Sequence, residues 1–220
     1  INNFMIQYPL MFSPQYQLTN TIINSLTKIA EDKAFIDRAR ILPAAQIKLR
    51  HQAILRMTHS STAIEGNRLN LPQIEAIYTH KKIDAPKRDI YEVKNYLNAL
   101  KYIEKVVLEK KPLNEKIILR IHKLVTENTL PKEESGKYRD GPVYVVQRRI
   151  GLQPLLLYTA PPYGKIPNPV SNLVKWLNEQ TADKLNPVIT AALAHKEIAE
   201  LHPFNDGNGR TARALATLVL

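Results

Sequence analysis

Apolar residues in this chain return every three or four positions along almost its whole length, a spacing that only helices turn into a continuous buried face. Ile22, Ile23, Leu26, Ile29 and Ala30 mark a first helix over about 18–35, and Ile47, Ile54 and Met57 a second over about 43–63. The second stops at Glu65-Gly66-Asn67, where Gly and Asn tolerate the left-handed turn that ends a helix. Asn70 with Gln73 three residues later caps a short helix reaching about 80. Helices follow over about 89–110 (Val93, Tyr96, Leu97, Leu100, Ile103) and 114–128 (Ile117, Ile118, Ile121, Leu124). Others cover about 169–180 and 187–201, and a last one begins near Gly209. The rhythm breaks once, between Gly136 and Pro169. There Val143–Val146 and Leu155–Thr159 are short β-prone runs flanking Arg148-Arg149-Ile150-Gly151. The expected fold is all-α with one β-hairpin. The polar stretch from Lys81 to Arg88, with Pro86 inside it, divides the chain into a helical region 1–84 and a core 85–220.

At 220 residues the chain is long enough to bury a core without covalent staples. It has no cysteine, which excludes disulfides and thiolate metal sites and fits a cytoplasmic home. No apolar run reaches the roughly 20 residues a membrane span needs, so no membrane partner is expected. Ile1 is not an initiator and Leu220 falls inside an apolar helical pattern, so a piece of a longer chain, cut at its C-terminus, is expected. The net charge of +11 suits an anionic partner, but no aromatic residues interleave with the basic clusters Lys81, Lys82, Lys87, Arg88 and Arg148, Arg149 as a nucleic-acid stacking platform requires.

The chemistry concentrates in His202-Pro203-Phe204-Asn205-Asp206-Gly207-Asn208-Gly209-Arg210, between an apolar helix and the start of another. Pro203 ends the first helix. Gly207 and Gly209 permit positive φ, so successive N–H groups can converge beside the positive end of the next helix, which makes a phosphate pocket. Asp206 is a hard oxygen ligand, and one carboxylate with substrate phosphates is a usual way to hold magnesium. His202 can take a proton from a hydroxyl near neutral pH. The Asn208 amide can donate to phosphate oxygens, and Arg210 and Arg213 can grip phosphates with their forked guanidiniums. A bare Asp-Gly-Asn-Gly would suit an ordinary turn equally well; the nine-residue string is far more specific. His195 lies seven residues before His202 with no third ligand at useful spacing, His59 and His122 suit structural roles within helices, and Gly136-Lys137 and Gly164-Lys165 lack the rest of a P-loop.

That string resembles the signature of the Fic family, His-Pro-Phe-x-Asp/Glu-Gly-Asn-Gly-Arg, without a departure. The resemblance covers roughly 45–220 and implies a helical fold with ATP and Mg²⁺ as cosubstrate and cofactor. It further implies transfer of AMP to Ser, Thr or Tyr hydroxyls of a target protein or of the chain itself, with release of pyrophosphate. Carried over by position, His202 is the base, Asp206 the metal ligand, and Phe204, Gly207, Asn208, Gly209, Arg210 and Arg213 the ATP and phosphate site. Relatives with other loops run other transfers, including phosphorylation, so Gly207 and Gly209 favour adenylylation.

Upstream, Ser61-Thr62-Ala63-Ile64-Glu65-Gly66 is similar to the family's inhibitory pattern, Ser/Thr-x-x-x-Glu-Gly/Asn. The resemblance makes Ser61, Glu65 and Gly66 inhibitory, with Glu65 pairing Arg213 and keeping it from the γ-phosphate. Because the pattern lies in the same chain, this is self-inhibition. The hairpin resembles the family's flap, preceded by Gly136-x-Tyr138-Arg139 and followed by Pro161-Pro162, and Tyr158, Thr159 and Ala160 are the expected docking residues for the target. Two rival readings stand beside this one. The same residues could remove AMP from a modified protein with Glu65 orienting a water, or the chain could be a nucleic-acid-binding module with a silent site, reaching nucleic acid through a region beyond Leu220. A homo-oligomer is compatible with either.

Overall fold

The structure, a computed structural model, describes residues 12–147, 153, 155–180 and 184–220. Its helices are α1 (Asn20–Arg38), α2 (Pro43–Ala63), α3 (Leu71–Tyr78), α4 (Lys87–Leu108), α5 (Glu115–Val125), α6 (Pro167–Glu179), α7 (Pro187–Leu201) and α8 (Asn208–Val219). Most starts have a local cause. Asn70 and Gln73 close a reciprocal capping box, and the side chains of Asn114 and Asn186 accept from Ile117 N–H and Val188 N–H. Pro43 and Pro187 fill first-turn positions that need no N–H. No described helix is long and apolar enough to cross a membrane.

Helix α8 organises the packing. It lies against α7 most extensively and also touches α2, α4 and α5. One core joins Ile118, Val170, Leu173, Ile198, Leu201, Phe204, Ala212 and Leu215; a second joins Tyr96, Ile103, Ile121, Val125 and Ala214. A third core, of Leu55, Leu69, Ile74, Ile77, Val93 and Leu97, draws α2 and α3 onto α4 across the polar stretch at 81–88. The loop before α8 is therefore held at both ends by buried helices.

The hairpin pairs β1 (Tyr144–Gln147) with β2 (Leu155–Thr159) antiparallel, Tyr144 opposite Thr159, with a register shift between Val145 and Val146. The turn expected at Arg148-Arg149-Ile150-Gly151 lies outside the described residues. One expectation differs. The stripe of Ile22, Ile23 and Ile29 exists on α1, but no residue of α1 is buried and these three are exposed. Periodicity announces an amphipathic helix and says nothing about what covers it.

This contrast gives a stability test. Ile118→Ala removes a fully buried side chain between α5, α6 and α8 and should cost about 2–5 kcal/mol. Ile29→Ala should stay within about 0.5 kcal/mol. Urea midpoints at constant m-value check both.

Candidate active site

The site begins where α7 ends. His202 is the C-cap, in a left-handed conformation (φ 43°, ψ 60°) that costs a non-glycine residue about 1–2 kcal/mol. Buried Arg139 holds the turn. Its backbone N–H donates to the Pro203 carbonyl (2.9 Å), and its Nε donates to the His202 carbonyl (2.6 Å). Its Nη1 donates to Gly141 (2.7 Å), and its Nη2 to Pro161 and Leu201 carbonyls. One guanidinium thus ties the end of α7 to both feet of the hairpin. The His202 Nδ1 lies in a short contact with the Ala199 carbonyl, which can only accept. Nδ1 therefore carries the proton, and Nε2 is left as the basic nitrogen.

The following loop is closed from within. Asn208 is 4% exposed, and its side chain accepts from Phe204 N–H (2.9 Å) and donates to Phe204 C=O (2.8 Å). The amide expected to face phosphate is thus engaged in shaping the loop. Phe204 is fully buried and stacks on His122 with ring centroids 3.7 Å apart and planes 4° from parallel. Gly136 N–H donates to His122 Nδ1 (2.9 Å), so Nε2 carries the proton and donates to the Asp206 carbonyl (3.0 Å). Burial, reinforced by the charge of Arg210 and opposed by the Asp206 carbonyl, lowers the His122 pKa to about 4. Gly207 has φ 75°, and a Cβ there would come within 2.6 Å of Thr126 Cγ2. No side chain caps α8, so its first N–H groups point out of the helix as anion donors.

Charged side chains frame this cradle. Asp206 accepts from Gly207 N–H (2.6 Å) and lies 3.5 Å from Arg210 Nη2 and 3.6 Å from Arg88 Nη2. Arg210 is only 1% exposed, donates to the Val125 carbonyl (3.3 Å) and lies 3.7 Å from Glu92. Its buried Nε has no hydrogen-bond partner among the described residues. Ser61, Glu65 and Arg213 meet as expected from the sequence. Arg213 Nε donates to Ser61 Oγ (2.9 Å), and its Nη2 donates to the Ser61 carbonyl (2.9 Å) and to Glu65 Oε1 (2.6 Å). A Cβ added at Gly209 would collide with Glu65 Oε1, so that carboxylate lies directly over the loop. Gly66 takes φ 92°, which turns the chain out of α2.

The hairpin residues stand apart from this cluster. Tyr158 donates its hydroxyl to the Glu200 carbonyl (2.8 Å), and Thr159 pairs with Tyr144. Ala160 is buried and donates its N–H to the Val143 carbonyl (3.1 Å). Four contributors were not assigned site roles from the sequence: Arg88, Glu92, His122 and Arg139. Glu92 leaves a trace as a carboxylate on the same α4 stripe as Tyr96, Ala99 and Ile103, and Arg139 as part of the motif before the hairpin.

Residues 112–220 match the sequence model of the Fic/DOC family. The protein adenylyltransferase Fic of Drosophila erecta is 32% identical over 199 residues, 90% of this chain and 36% of that protein. That of Drosophila grimshawi is 31% identical over 179 residues, 80% of this chain and 35% of its own length. The chain thus spans about a third of the length of these curated relatives. Among solved structures, a Fic family protein from Desulfovibrio desulfuricans is 29% identical with a TM-score of 0.75, covering 94% of this chain and 59% of its own. A Fic domain containing signaling protein from Bacteroides thetaiotaomicron is 27% identical with a TM-score of 0.71, covering 82% and 67%.

His122 gives this loop a pH signature. With its pKa depressed to about 4, the native imidazole stays neutral where the unfolded one, near 6.5, binds a proton. The unfolded state therefore gains protons first as pH falls, and about 3 kcal/mol of stability should drain away between pH ~6.5 and ~4. His122→Gln should lower stability at pH 7 and flatten that slope. Urea titrations of both proteins at stepped pH check it.

Proposed function

The chain belongs to the Fic/DOC family, and from that premise we propose that it is the catalytic part of a protein adenylyltransferase restrained by its own α2. In this reading residues 1–84 carry the regulatory segment and 85–220 the catalytic core. The observation that carries the reading is the basic Nε2 of His202 beside an uncapped helix N-terminus and a half-exposed carboxylate.

The reaction follows from those groups. ATP lays its phosphates on the first N–H groups of α8, with Arg213 on the phosphate tail once it is released from Glu65. His202 Nε2 takes the proton of a target Ser, Thr or Tyr hydroxyl. The hydroxyl oxygen forms a bond to the α-phosphorus as the bond to the pyrophosphate oxygen breaks, and pyrophosphate leaves. Asp206 suits a magnesium ion. Its side chain is 40% exposed and offers a single hard oxygen ligand, which together with substrate phosphates is a usual way to hold this ion. The ion, when bound, offsets phosphate charge as pyrophosphate departs. The Nε of Arg210, buried without a partner, fits an anion nearby. The hairpin serves as the target's docking edge, with Tyr158, Thr159 and Ala160 at its root.

Self-inhibition is supported by the same contacts. Glu65 and Ser61 occupy three donor directions of Arg213, and the Glu65 carboxylate covers Gly209, where the phosphate tail must pass. An arginine held this way cannot also grip a phosphate, and displacement of about 1 Å from in-line geometry costs around 10²-fold. Glu65→Gly should therefore raise AMP transfer, self-transfer included, by about 10²-fold over the unaltered chain. Arg213→Ala should not, because it removes the phosphate grip with the lock. α-Labelled ATP measures both, and equal transfer by the unaltered chain and Glu65→Gly refutes the lock.

The base has its own test, made in the Glu65→Gly background. Adding His202→Ala should cut transfer by about 10²–10⁴-fold with nucleotide affinity retained. A second reading, removal of AMP from a modified protein, draws support from the Glu65 carboxylate lying over the loop, where it could orient a water. Release of AMP from a modified target by the unaltered chain, lost in Glu65→Gly, would favour it.

A further inference from the structure

Asp206 sits between two guanidiniums of different character. Arg210 is the inner one, 1% exposed and fixed by Val125 and Glu92. Arg88 is the outer one, 66% exposed, with Nη2 3.6 Å from Asp206 Oδ2. Arg88 is nevertheless aimed. Its Nε donates to Glu92 Oε1 (3.1 Å), and Glu92, only 5% exposed, accepts from Asn67 Nδ2 on its other oxygen (3.0 Å). Asn67 also donates to the Asp89 carbonyl (3.0 Å) and lies two residues beyond Glu65. A continuous polar chain therefore runs from the inhibitory turn through Glu92 to the outer side of Asp206.

Charge decides what this arrangement admits. Asp206 and Glu92 are balanced by Arg88 and Arg210, so the group is neutral as it stands. A bare divalent cation approaching Asp206 finds the carboxylate already matched and must work against two positive charges. A nucleotide polyphosphate brings enough negative charge to reverse that balance, and an exposed guanidinium is free to follow it.

Resting on the nucleotide-binding reading above, we propose that Arg88 is a charge gate on Asp206, which disfavours free divalent cations and admits them together with the phosphates of a nucleotide. Arg88 acts on binding, through Asp206, and takes no part in the chemistry. Its neighbour Lys87 has no ion pair with Asp206 among the described residues and supplies the control for the general field of the protein.

The test is binding, with no turnover. Mn²⁺ alone is titrated and followed by the electron paramagnetic resonance of the free ion; ATP in EDTA is titrated by calorimetry. Both are applied to the unaltered chain, Arg88→Gln and Lys87→Gln at low ionic strength. One charge removed a few ångströms from the ion should tighten Mn²⁺ binding by about tenfold and weaken metal-free ATP by about fivefold. Lys87→Gln should move each by less than about twofold. Glu92 keeps Asn67 and the nearby Arg210 when Arg88 is replaced, and a melting curve checks that the fold is retained. The gate is overturned if Arg88→Gln changes neither affinity, shifts both in the same direction, or is matched by Lys87→Gln. If neither the unaltered chain nor Glu65→Gly binds ATP with or without Mn²⁺, the nucleotide reading fails and the gate with it. ATP binding that ignores Arg88 removes the gate alone.

Discussion

A helix that ends in the interior leaves carbonyls without partners, and in this protein a buried arginine answers them. Arg139 donates to the last carbonyls of α7, to the Pro203 carbonyl through its backbone, and to Gly141 and Pro161 at the two feet of the hairpin. A lysine could not do this, since the geometry calls for a planar fork reaching several acceptors at once. The left-handed backbone at His202 depends on it, and so does the side of the loop to which the hairpin is rooted. The inner loop depends in turn on Phe204, which is clasped by Asn208 and sandwiched against His122. Flexible glycines are thus surrounded by atoms with no freedom.

The two carboxylates flanking the loop approach it from different sides and share a support. Glu65 lies over Gly209 from the turn that follows α2, while Asp206 presents its oxygens from within the loop. Both are matched by arginines of α8, at positions 213 and 210. Because α8 is packed by α2, α4, α5 and α7 together, the backbone that carries both arginines is set by the core. The turn at Gly66-Asn67 then links the two sides through Glu92.

Local signals carried much of this into the sequence. Helices α2 and α7 span 43–63 and 187–201 as read from their apolar spacing and stop residues, and the Asn70–Gln73 box forms. The contact of Glu65 with Arg213, 148 residues apart, was legible because a family pattern stands in for distance. Arg88 was not, since its partner lies 118 positions away (206 − 88) and nothing in a run of basic residues singles one out. Arg139 was visible only as part of a motif. The carbonyls it serves are backbone atoms, and every sequence has those. Asn208 and Arg210 show the converse difficulty. Their types suggested ligands, while the fold buries both and employs Asn208 in bracing the loop.

The missing side chain at Gly209 has an evolutionary consequence. The space it leaves is filled by the Glu65 carboxylate, with Arg213 Nη1 3.0 Å from where a Cβ would be. Any larger residue there would evict Glu65, yet it would also crowd the arginine and line the mouth of the anion cradle. A lineage that drifts toward unregulated activity therefore cannot escape through this position, nor through Arg213, without harming the activity it releases. On the proposed reading the open routes lie at Ser61 and Glu65, whose side chains can change while the loop keeps its own internal contacts. On the proposed reading, Gly209 answers to both restraint and catalysis, whereas Glu65 answers to restraint alone.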